Sequence, residues 1–294
     1  MLTRRTMLLS PLAVIVTDTP GKMTLAIHQN TSMKAGYRKS LEGWARAGIT
    51  QVELTPNLLD DFLKTDSLEA ARRVIADLGL TPVSCSFGAG LFEPHPNRAA
   101  SVEGLKRRCE MLAALGLTRT YGITTTTQKF TPDDYKAGVE NMREVGEIAK
   151  QFGMTAMAEF VRSSTFISTL TTMLKMTREA GHPNMHPMFD CYHFWSGLSK
   201  LEDLDLIRPG EIVHVHFQDT ADMPRELLDN ATRVIPGDGV APLVRILRKL
   251  AENDYAGSLS VELFAPKFQD ADPFELAGEI RRKAEAVMRE ARVV

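Results

Sequence analysis

Cysteine is scarce in this sequence. Its 294 residues include only Cys85, Cys109 and Cys191, and no two of them form a C-x-x-C pair. A small, odd number of widely spaced cysteines argues against a disulfide framework. None of the three has a sequence neighbour that would indicate a nucleophile. We therefore expect three buried thiols without a catalytic role.

An excess of charge of one sign is also missing. The 35 basic and 37 acidic residues give a formal net charge of −2, and the isoelectric point is near 6.4. Since nucleic-acid binding usually needs a basic domain, we expect no nucleic-acid partner. The hydrophobic share of 44% and the charged share of 24% are ordinary for a soluble globular protein.

The apolar run MLLSPLAVIV near the N-terminus is too short to span a bilayer, and we expect no membrane association. It follows two arginines in TRRTMLL (3–9), as in a twin-arginine export signal. No A-x-A cleavage site follows, and Asp18 and Pro20 end the run early. We expect residues 1–22 to be an N-terminal extension. A cytoplasmic location is favoured, with twin-arginine export to the periplasm as the alternative, and Met23 is an alternative start.

From Met23 onwards, short apolar runs alternate with amphipathic helical stretches. The apolar runs are rich in branched and aromatic residues, which is typical of buried parallel strands. The predicted strands are 23–28, 50–54, 81–87, 119–123, 154–159, 185–190, 212–217 and 258–263. The predicted helices are 37–48, 67–79, 97–116, 132–153, 165–181, 242–254 and 273–291. The helical stretch of the sixth unit is shorter and breaks at Gly197.

Eight strand–helix units without a long polar linker predict one domain over residues 23–294, a single (β/α)8 TIM barrel of the α/β class. An open, doubly wound sheet is the alternative. That fold would need a glycine loop for phosphate binding, and neither GxGxxG nor GxxxxGK[ST] is present.

Four of the strands in the second half end at a residue that can bind a metal. Glu159, Asp190, His216 and Glu262 are spaced 31, 26 and 46 residues apart, close to one strand–helix–strand unit. Because the C-terminal ends of barrel strands face the active site, we expect the four to converge. One of them alone could be a helix cap or a salt bridge, but four buried ionisable groups without a cation would be costly. This mixed set predicts an enzyme with one divalent metal ion, Mn²⁺ first, with Co²⁺, Mg²⁺ or Zn²⁺ as alternatives.

Other polar residues fall near the same strand ends. His193 lies three residues after Asp190, where it could bind substrate oxygen, orient a ligand or pack as a loop residue. Arg233 offers a planar pair of donors for hydroxyls or a carboxylate. Asp219 could hydrogen-bond a ligand or the substrate. His214, two residues before His216, shares its inward face one layer deeper and is interpreted as a core histidine.

Three further residues are candidates for the pocket wall. His28 and Glu53 end the first and second predicted strands. Trp195, just beyond the Asp190 strand, could place an apolar wall against a sugar face, although packing is its ordinary role.

With these motifs in place, the chain resembles the xylose isomerase-like TIM barrel superfamily over residues 23–290. The resemblance is to the sugar isomerase and epimerase branch, which includes tagatose and psicose 3-epimerases, hydroxypyruvate isomerase and inosose dehydratase. The segments that carry it are GITQVEL (48–54), the LG-x-T of 115–118, AEF, FDCYH, HVHFQD, RVIPGDG and SVELF.

The resemblance implies roles for several residues. In this family a Glu-Asp-His-Glu set holds one divalent metal, and Glu159, Asp190, His216 and Glu262 match it in order. The two glutamates of such epimerases also act as acid and base on opposite faces of the substrate. His193 matches a substrate-contacting histidine of the D-x-x-H motif, and Arg233 matches the arginine of R-x-x-P-G-x-G.

Three departures from the family weaken the inference of a substrate. The segment TADMPRELLDNAT before Arg233 is longer than in the ketose epimerases. The family motif H-x-G-E reads HFQD here, with Asp219 in the glutamate position. The second glutamate that epimerases place after the strand-five ligand is absent, since FVRSST follows Glu159.

The function implied is a divalent-metal-dependent isomerase or epimerase of a keto-sugar or related polyol, acting by proton transfer through a metal-stabilised enediolate. A dehydratase or lyase on the same site is the alternative, as in inosose dehydration or 3-keto-glycoside cleavage. The sequence lacks the histidines that an apurinic-site endonuclease would need. A non-catalytic binding barrel is a remote alternative. We expect a small-molecule carbohydrate substrate and favour an unphosphorylated one. The chain could also form a homo-oligomer.

Overall fold

Strands and helices alternate along the computed structural model, which describes residues 22–294. The segment 1–21, which contains the predicted twin-arginine signal, lies outside the described residues. The strands are β1 (Thr24–His28), β2 (Gln51–Leu54), β3 (Thr81–Ala89), β4 (Arg119–Ile123), β5 (Thr155–Glu159), β6 (Met185–Pro187), β7 (Phe189–Asp190), β8 (Val215–His216), β9 (Asp219–Thr220), β10 (Arg233–Val234) and β11 (Ser258–Val261).

The large sheet closes on itself. Its strands run in the order β6-β5-β4-β3-β2-β1-β11-β8-β7, and every neighbouring pair is parallel. β6 pairs with β5 and β7 pairs with β8, and only Met188 separates β6 from β7. One continuous segment, 185–190, therefore joins both edges of the sheet. The prediction of a single (β/α)8 barrel is confirmed.

The helices lie between these strands. They are α1 (Gly36–Arg46), α2 (Pro56–Phe62), α3 (Leu68–Asp77), α4 (Arg98–Ala114), α5 (Pro132–Gln151), α6 (Leu170–Ala180), α7 (Cys191–Ser196), α8 (Leu243–Glu252), α9 (Pro266–Gln269) and α10 (Pro273–Ala291). Local sequence explains several of their starts. The Ser67 hydroxyl accepts from the N–H of Ala70 at the start of α3, and Thr131 and Asp134 form a capping box at the start of α5.

Two predicted elements have different bounds in the structure. The helix predicted from residue 165 begins at Leu170, because Thr169 caps α6 through the N–H of Thr172. Thr165 instead donates its hydroxyl to the carbonyls of Thr126 and Gln128, which holds this stretch as a loop. The seventh predicted strand, 212–217, is regular only at Val215–His216.

The core is largely apolar, and most of its buried ionisable side chains lie at or near the C-terminal ends of the strands. Leu41 and Trp44 on α1 are fully buried, as the helical pattern predicts. Cys85, Cys109 and Cys191 are free thiols, and the prediction that they are buried is confirmed. Within residues 22–294, no helix combines the length and the apolar character needed to cross a membrane.

Candidate metal centre

Four side chains from separate strands converge at one end of the barrel. Glu159 ends β5, Asp190 ends β7, His216 ends β8, and Glu262 directly follows β11. Each offers a ligand atom, and these four atoms all lie within 4.8 Å of one another. All four side chains are buried. The tetrad, as we call these four residues, is compact enough to share one ion.

The imidazole of His216 lies at the centre of the tetrad. Its Nδ1 atom is 3.0 Å from Glu159 Oε1, 3.4 Å from Glu262 Oε2 and 3.5 Å from Asp190 Oδ2. Its other nitrogen, Nε2, lies 3.2 Å from Oε1 of Glu53. One ring nitrogen therefore faces three carboxylates, and the opposite one contacts a fourth.

The chemistry of this donor set fits a divalent cation. Carboxylates with one imidazole are typical ligands of Mn²⁺, Co²⁺, Mg²⁺ and Zn²⁺, and no cysteine belongs to the group. Three buried carboxylates at such short range are costly unless a cation compensates their charge. An imidazole binds metal through the nitrogen that carries no proton, and Nδ1 of His216 is the one directed at the carboxylates.

Two other groups of potential ligands share His216 with the tetrad, and each contains a single carboxylate. In one group, Glu53 Oε2 is 2.8 Å from His214 Nε2, while its Oε1 meets His216, so these side chains satisfy one another by hydrogen bonds. In the other group, His28 Nε2 lies 3.7 Å from Glu262 Oε1, beyond hydrogen-bond distance. The tetrad is therefore the best candidate of the three.

A buried arginine, Arg233, spans two members of the tetrad. Its Nη1 donates to Asp190 Oδ2 at 3.1 Å and to Glu262 Oε2 at 2.8 Å. The guanidinium lies over two aromatic rings, with Cζ 4.9 Å from the ring centre of Tyr192 and 5.0 Å from that of Phe264. The antiparallel pair of β9 and β10 places Arg233 at this point. A guanidinium held in this way compensates carboxylate charge and keeps its plane fixed.

His193 lies beside Arg233. Its backbone N–H donates to Asp190 Oδ1 at 2.5 Å, and its Nε2 accepts from Arg233 Nη2 at 3.0 Å. Burial lowers the pKa of His193 to about 4, and the positive charge of Arg233 acts in the same direction. The negative charge of Asp190 acts to raise this pKa but is outweighed. His193 is therefore neutral near pH 7.

The two glutamates of the tetrad differ in acidity. Burial raises the pKa of Glu159 to about 8, although His216 opposes that shift. Burial also acts to raise the pKa of Glu262, but His216, His28 and Arg233 outweigh it, and the pKa lies below its usual value. Before any metal binds, Glu159 carries a proton at neutral pH and Glu262 is ionised.

A cavity of about 390 Å³ lies above the tetrad. This volume falls within the range of roughly 300–1,000 Å³ that is usual for small-molecule sites. Glu159 and Glu262 line it, whereas Asp190 and His216 are fully buried beneath. The other lining residues are His28, Asn30, Met33, Thr55, Pro56, Asn57, Ser86, Tyr121, Ile123, Thr125, Val161, Ser163, His193, Asn230, Arg233 and Phe264.

The structure brings several of the predicted substrate-binding residues to this cavity. His28, His193 and Arg233 line it. Glu53 is fully buried and is not among the lining residues, because it lies below the cavity against His214 and His216. The prediction that His214 is a core histidine is confirmed by its complete burial.

Asp219 and Trp195, for which the sequence predicts substrate contacts, do not line the cavity. The Asp219 carboxylate holds the loop that follows β9, because its two oxygens accept four backbone N–H groups. These donors are Thr220, Gly237, Gly239 and Ala241. The ring of Trp195 instead packs against Arg225, whose Cζ lies 5.4 Å from its centre.

Sequence reasoning missed three polar residues that contact the site. Asn30 donates to Glu262 Oε1 at 3.0 Å, and the Tyr121 hydroxyl lies 3.2 Å from His28 Nε2. Gln218 donates to Asp190 Oδ2 at 2.8 Å. Gln218 follows His216 by two positions, so the alternation of strand side chains could have identified it. Asn30 lies in a 3-10 turn, where no such periodicity exists.

Comparison with known proteins places the chain among enzymes. The family model described as "Xylose isomerase-like TIM barrel" matches residues 41–291. An inosose isomerase of Halalkalibacterium halodurans is 27% identical over 254 residues, which is 84% of this chain and 89% of that protein. A 3-dehydroshikimate dehydratase of Pseudomonas putida is 25% identical over 82% of this chain and 38% of that protein.

A crystal structure of an IOLI protein with a bound zinc atom has the same fold. It superposes with a TM-score of 0.85 at 23% identity and covers 92% of this chain and 99% of that one. The curated relatives named above are an isomerase and a dehydratase, and this chain is likewise an enzyme. From the family match and the closed barrel we conclude that the chain belongs to the xylose isomerase-like TIM barrel family.

Proposed function

We propose that this enzyme is a divalent-metal-dependent isomerase or epimerase of a keto-sugar or an inosose. In this proposal the tetrad holds the metal, and Glu159 and Glu262 move the proton. The observation that carries the proposal is the convergence of three carboxylates on Nδ1 of His216 at the floor of a polar cavity.

A bound divalent ion would act as a Lewis acid on a substrate carbonyl and so acidify the adjacent C–H. Glu262, ionised and lining the cavity, accepts that proton. Glu159 is the other tetrad glutamate that lines the cavity, and it returns a proton to substrate. A proton returned to the other face of the same carbon gives an epimer, and a proton returned to the neighbouring carbon gives an isomer.

His193 and Arg233 bind the substrate oxygens in this scheme. His193 is neutral and lines the cavity next to Arg233, so it contributes a hydrogen bond without adding charge. Arg233 supplies donors whose plane is fixed by the rings of Tyr192 and Phe264. Both residues orient a hydroxylated substrate above the two glutamates.

The relatives guide the choice of substrate and metal. The inosose isomerase of Halalkalibacterium halodurans matches most of this chain, so inososes are the first substrates to test. Because the IOLI structure contains a zinc atom, we propose to test Zn²⁺ together with Mn²⁺ first. Co²⁺ and Mg²⁺ suit the same donors.

A dehydratase is the second candidate. The 3-dehydroshikimate dehydratase of Pseudomonas putida aligns with 82% of this chain. Proton removal next to a carbonyl is also the first step of elimination when a leaving group lies β to the carbanion. Dehydration would therefore use the same two glutamates and differ only in what leaves the substrate.

Deuterium exchange tests the proposal and separates these outcomes. Metal-replete protein is incubated in D₂O with inososes, ketoses and 3-keto-glycosides, and C–H loss and products are followed by NMR. We expect exchange accompanied by an isomer or epimer. Exchange with release of water or an aglycone would make the enzyme a lyase. A metal-loaded protein that exchanges no proton of any substrate would refute the proton-transfer mechanism.

A further inference from the structure

A second polar layer lies beneath the tetrad, and Glu53 is at its centre. Glu53 is an inward-facing residue of β2 and is fully buried. Its Oε1 lies 3.2 Å from Nε2 of His216, and its Oε2 lies 2.8 Å from Nε2 of His214. One carboxylate therefore connects two histidines that lie two residues apart near β8.

The chemistry of these contacts assigns the protons. An ionised carboxylate can only accept hydrogen bonds, so both histidines must donate from Nε2. In a neutral imidazole the other nitrogen then carries the lone pair. For His216 that nitrogen is Nδ1, which faces the carboxylates of Glu159, Asp190 and Glu262. The bond to Glu53 thus aims the metal-binding nitrogen at the other three ligands.

Charge and burial support an ionised Glu53. Three imidazoles surround its carboxylate, because Nε2 of His214 and Nε2 of His216 lie 2.8 Å and 3.2 Å from its oxygens and Nε2 of His28 lies 3.7 Å from Oε1. Water does not reach this carboxylate, since its side chain is fully buried. Bulk solvent therefore does not compete with Glu53 for the Nε2–H group of His216.

We propose that Glu53 is the positioning residue of the metal site, because it holds the His216 proton on Nε2 and frees Nδ1 for the ion. This inference rests on the proposed metal site. Glu53 acts through His216 and does not itself touch metal or substrate. His214 completes the arrangement by fixing the second oxygen of Glu53.

Glutamine at position 53 keeps the shape of the side chain but not its hydrogen bonding. Its amide has one accepting oxygen and one donating NH₂ group, so it cannot accept from both histidines. When the NH₂ group faces His216, the imidazole must adopt the other tautomer, with the lone pair on Nε2 and the proton on Nδ1. That proton would point at the ion. Loss of such an outer partner usually costs about 10–100-fold in metal affinity.

The test is calorimetric titration of Zn²⁺ and Mn²⁺ into metal-free wild type, Glu53→Gln and a control, Glu93→Gln. Glu93 is also a buried glutamate, but it lies beside a separate cavity near α4 and outside the three ligand groups. We expect Glu53→Gln to bind both ions about 10–100-fold more weakly than wild type, and the control to match wild type. Equal affinity in Glu53→Gln and wild type would overturn the inference while leaving the metal site intact. A wild type that binds neither ion would overturn both.

A second measurement does not depend on the folding of a variant. ¹⁵N NMR of the Zn²⁺-loaded wild type reports which nitrogen of His216 carries the proton. We expect the proton on Nε2, with a hydrogen-bonded shift. A proton on Nδ1, with the ion on Nε2, would overturn the inference even if Glu53→Gln failed to fold.

Discussion

Glu159 and Glu262 occupy equivalent positions in the sequence pattern, yet the barrel gives them different surroundings. Glu262 accepts from Asn30 through Oε1 and from Arg233 through Oε2. For the Glu159 carboxylate, His216 is the single hydrogen-bond partner within residues 22–294. Its pKa rises to about 8, whereas that of Glu262 falls. The charges that face each carboxylate, rather than its burial, separate the two.

This difference shows how one buried site can contain both a protonated and an ionised glutamate. Both glutamates are buried, and burial alone would raise the pKa of each. In the metal-free site, the charges of His216, His28 and Arg233 keep Glu262 ionised, while Glu159 retains a proton. Each of the following variants removes or weakens one side of this comparison.

The largest effect should follow Glu262→Gln. This variant loses a metal ligand and the proposed base together, so we expect loss of bound metal and a fall in kcat of at least about 10²–10⁴-fold. Metal content by atomic absorption and turnover of the best substrate check it. Glu279→Gln, an acidic-to-amide change on α10, serves as the control. Full activity of Glu262→Gln would refute the site.

Glu159→Gln should separate proton removal from proton return. Because Glu159 is also a proposed metal ligand, the variant is assayed with excess Zn²⁺ or Mn²⁺. If Glu262 takes the proton, the loaded variant still exchanges substrate C–H with D₂O, but product forms about 10²–10⁴-fold more slowly. NMR measures exchange and product in the same sample. Loss of exchange in this variant, with its metal still bound, would assign proton removal to Glu159 instead.

Asn30→Ala should make the two glutamates more alike. Removing a donor raises the pKa of Glu262, because the ionised carboxylate loses a stabilising hydrogen bond. Since Glu262 acts as a base, the acidic limb of the kcat/KM profile should move to higher pH. A hydrogen bond to a charged group contributes about 1.5–3 kcal/mol, so we expect a loss of about 10-fold or more at low pH. An unshifted profile would show that Asn30 does not control this carboxylate.

The smallest effects should come from two aromatic residues. Phe264→Leu removes one ring that packs on Arg233, and a lost cation–π contact of about 0.5–2 kcal/mol should raise KM by about 3–30-fold. Trp195→Ala should change KM less than about twofold, since this ring packs on Arg225 outside the cavity. A larger change in KM for Trp195→Ala than for Phe264→Leu would reverse this assignment.

The sequence predicted the barrel and the convergence of the tetrad because both follow from periodicity. Short apolar runs at regular spacing define parallel strands, and the residue that ends each run must lie at the same end of the sheet. Glu159, Asp190, His216 and Glu262 all end or directly follow a strand, so their convergence required no knowledge of the loops.

Residues on turns, and contacts across the barrel, could not be predicted in the same way. Asn30 reaches Glu262 from a 3-10 turn, and Glu53 reaches His216 from the other side of the barrel. The sequence indicated Asp219 as a contact of a ligand or the substrate, but the four backbone donors around it come from turns whose shape the sequence does not reveal. Side-chain direction at such positions depends on tertiary packing.

An anomalous difference map from crystals grown with Zn²⁺ or Mn²⁺ would locate the bound ion. We predict one strong peak per chain, at about 2.0–2.3 Å from Nδ1 of His216 and from oxygens of Glu159, Asp190 and Glu262. No peak at the tetrad, or a peak among Glu53, His214 and His216 instead, would contradict the account.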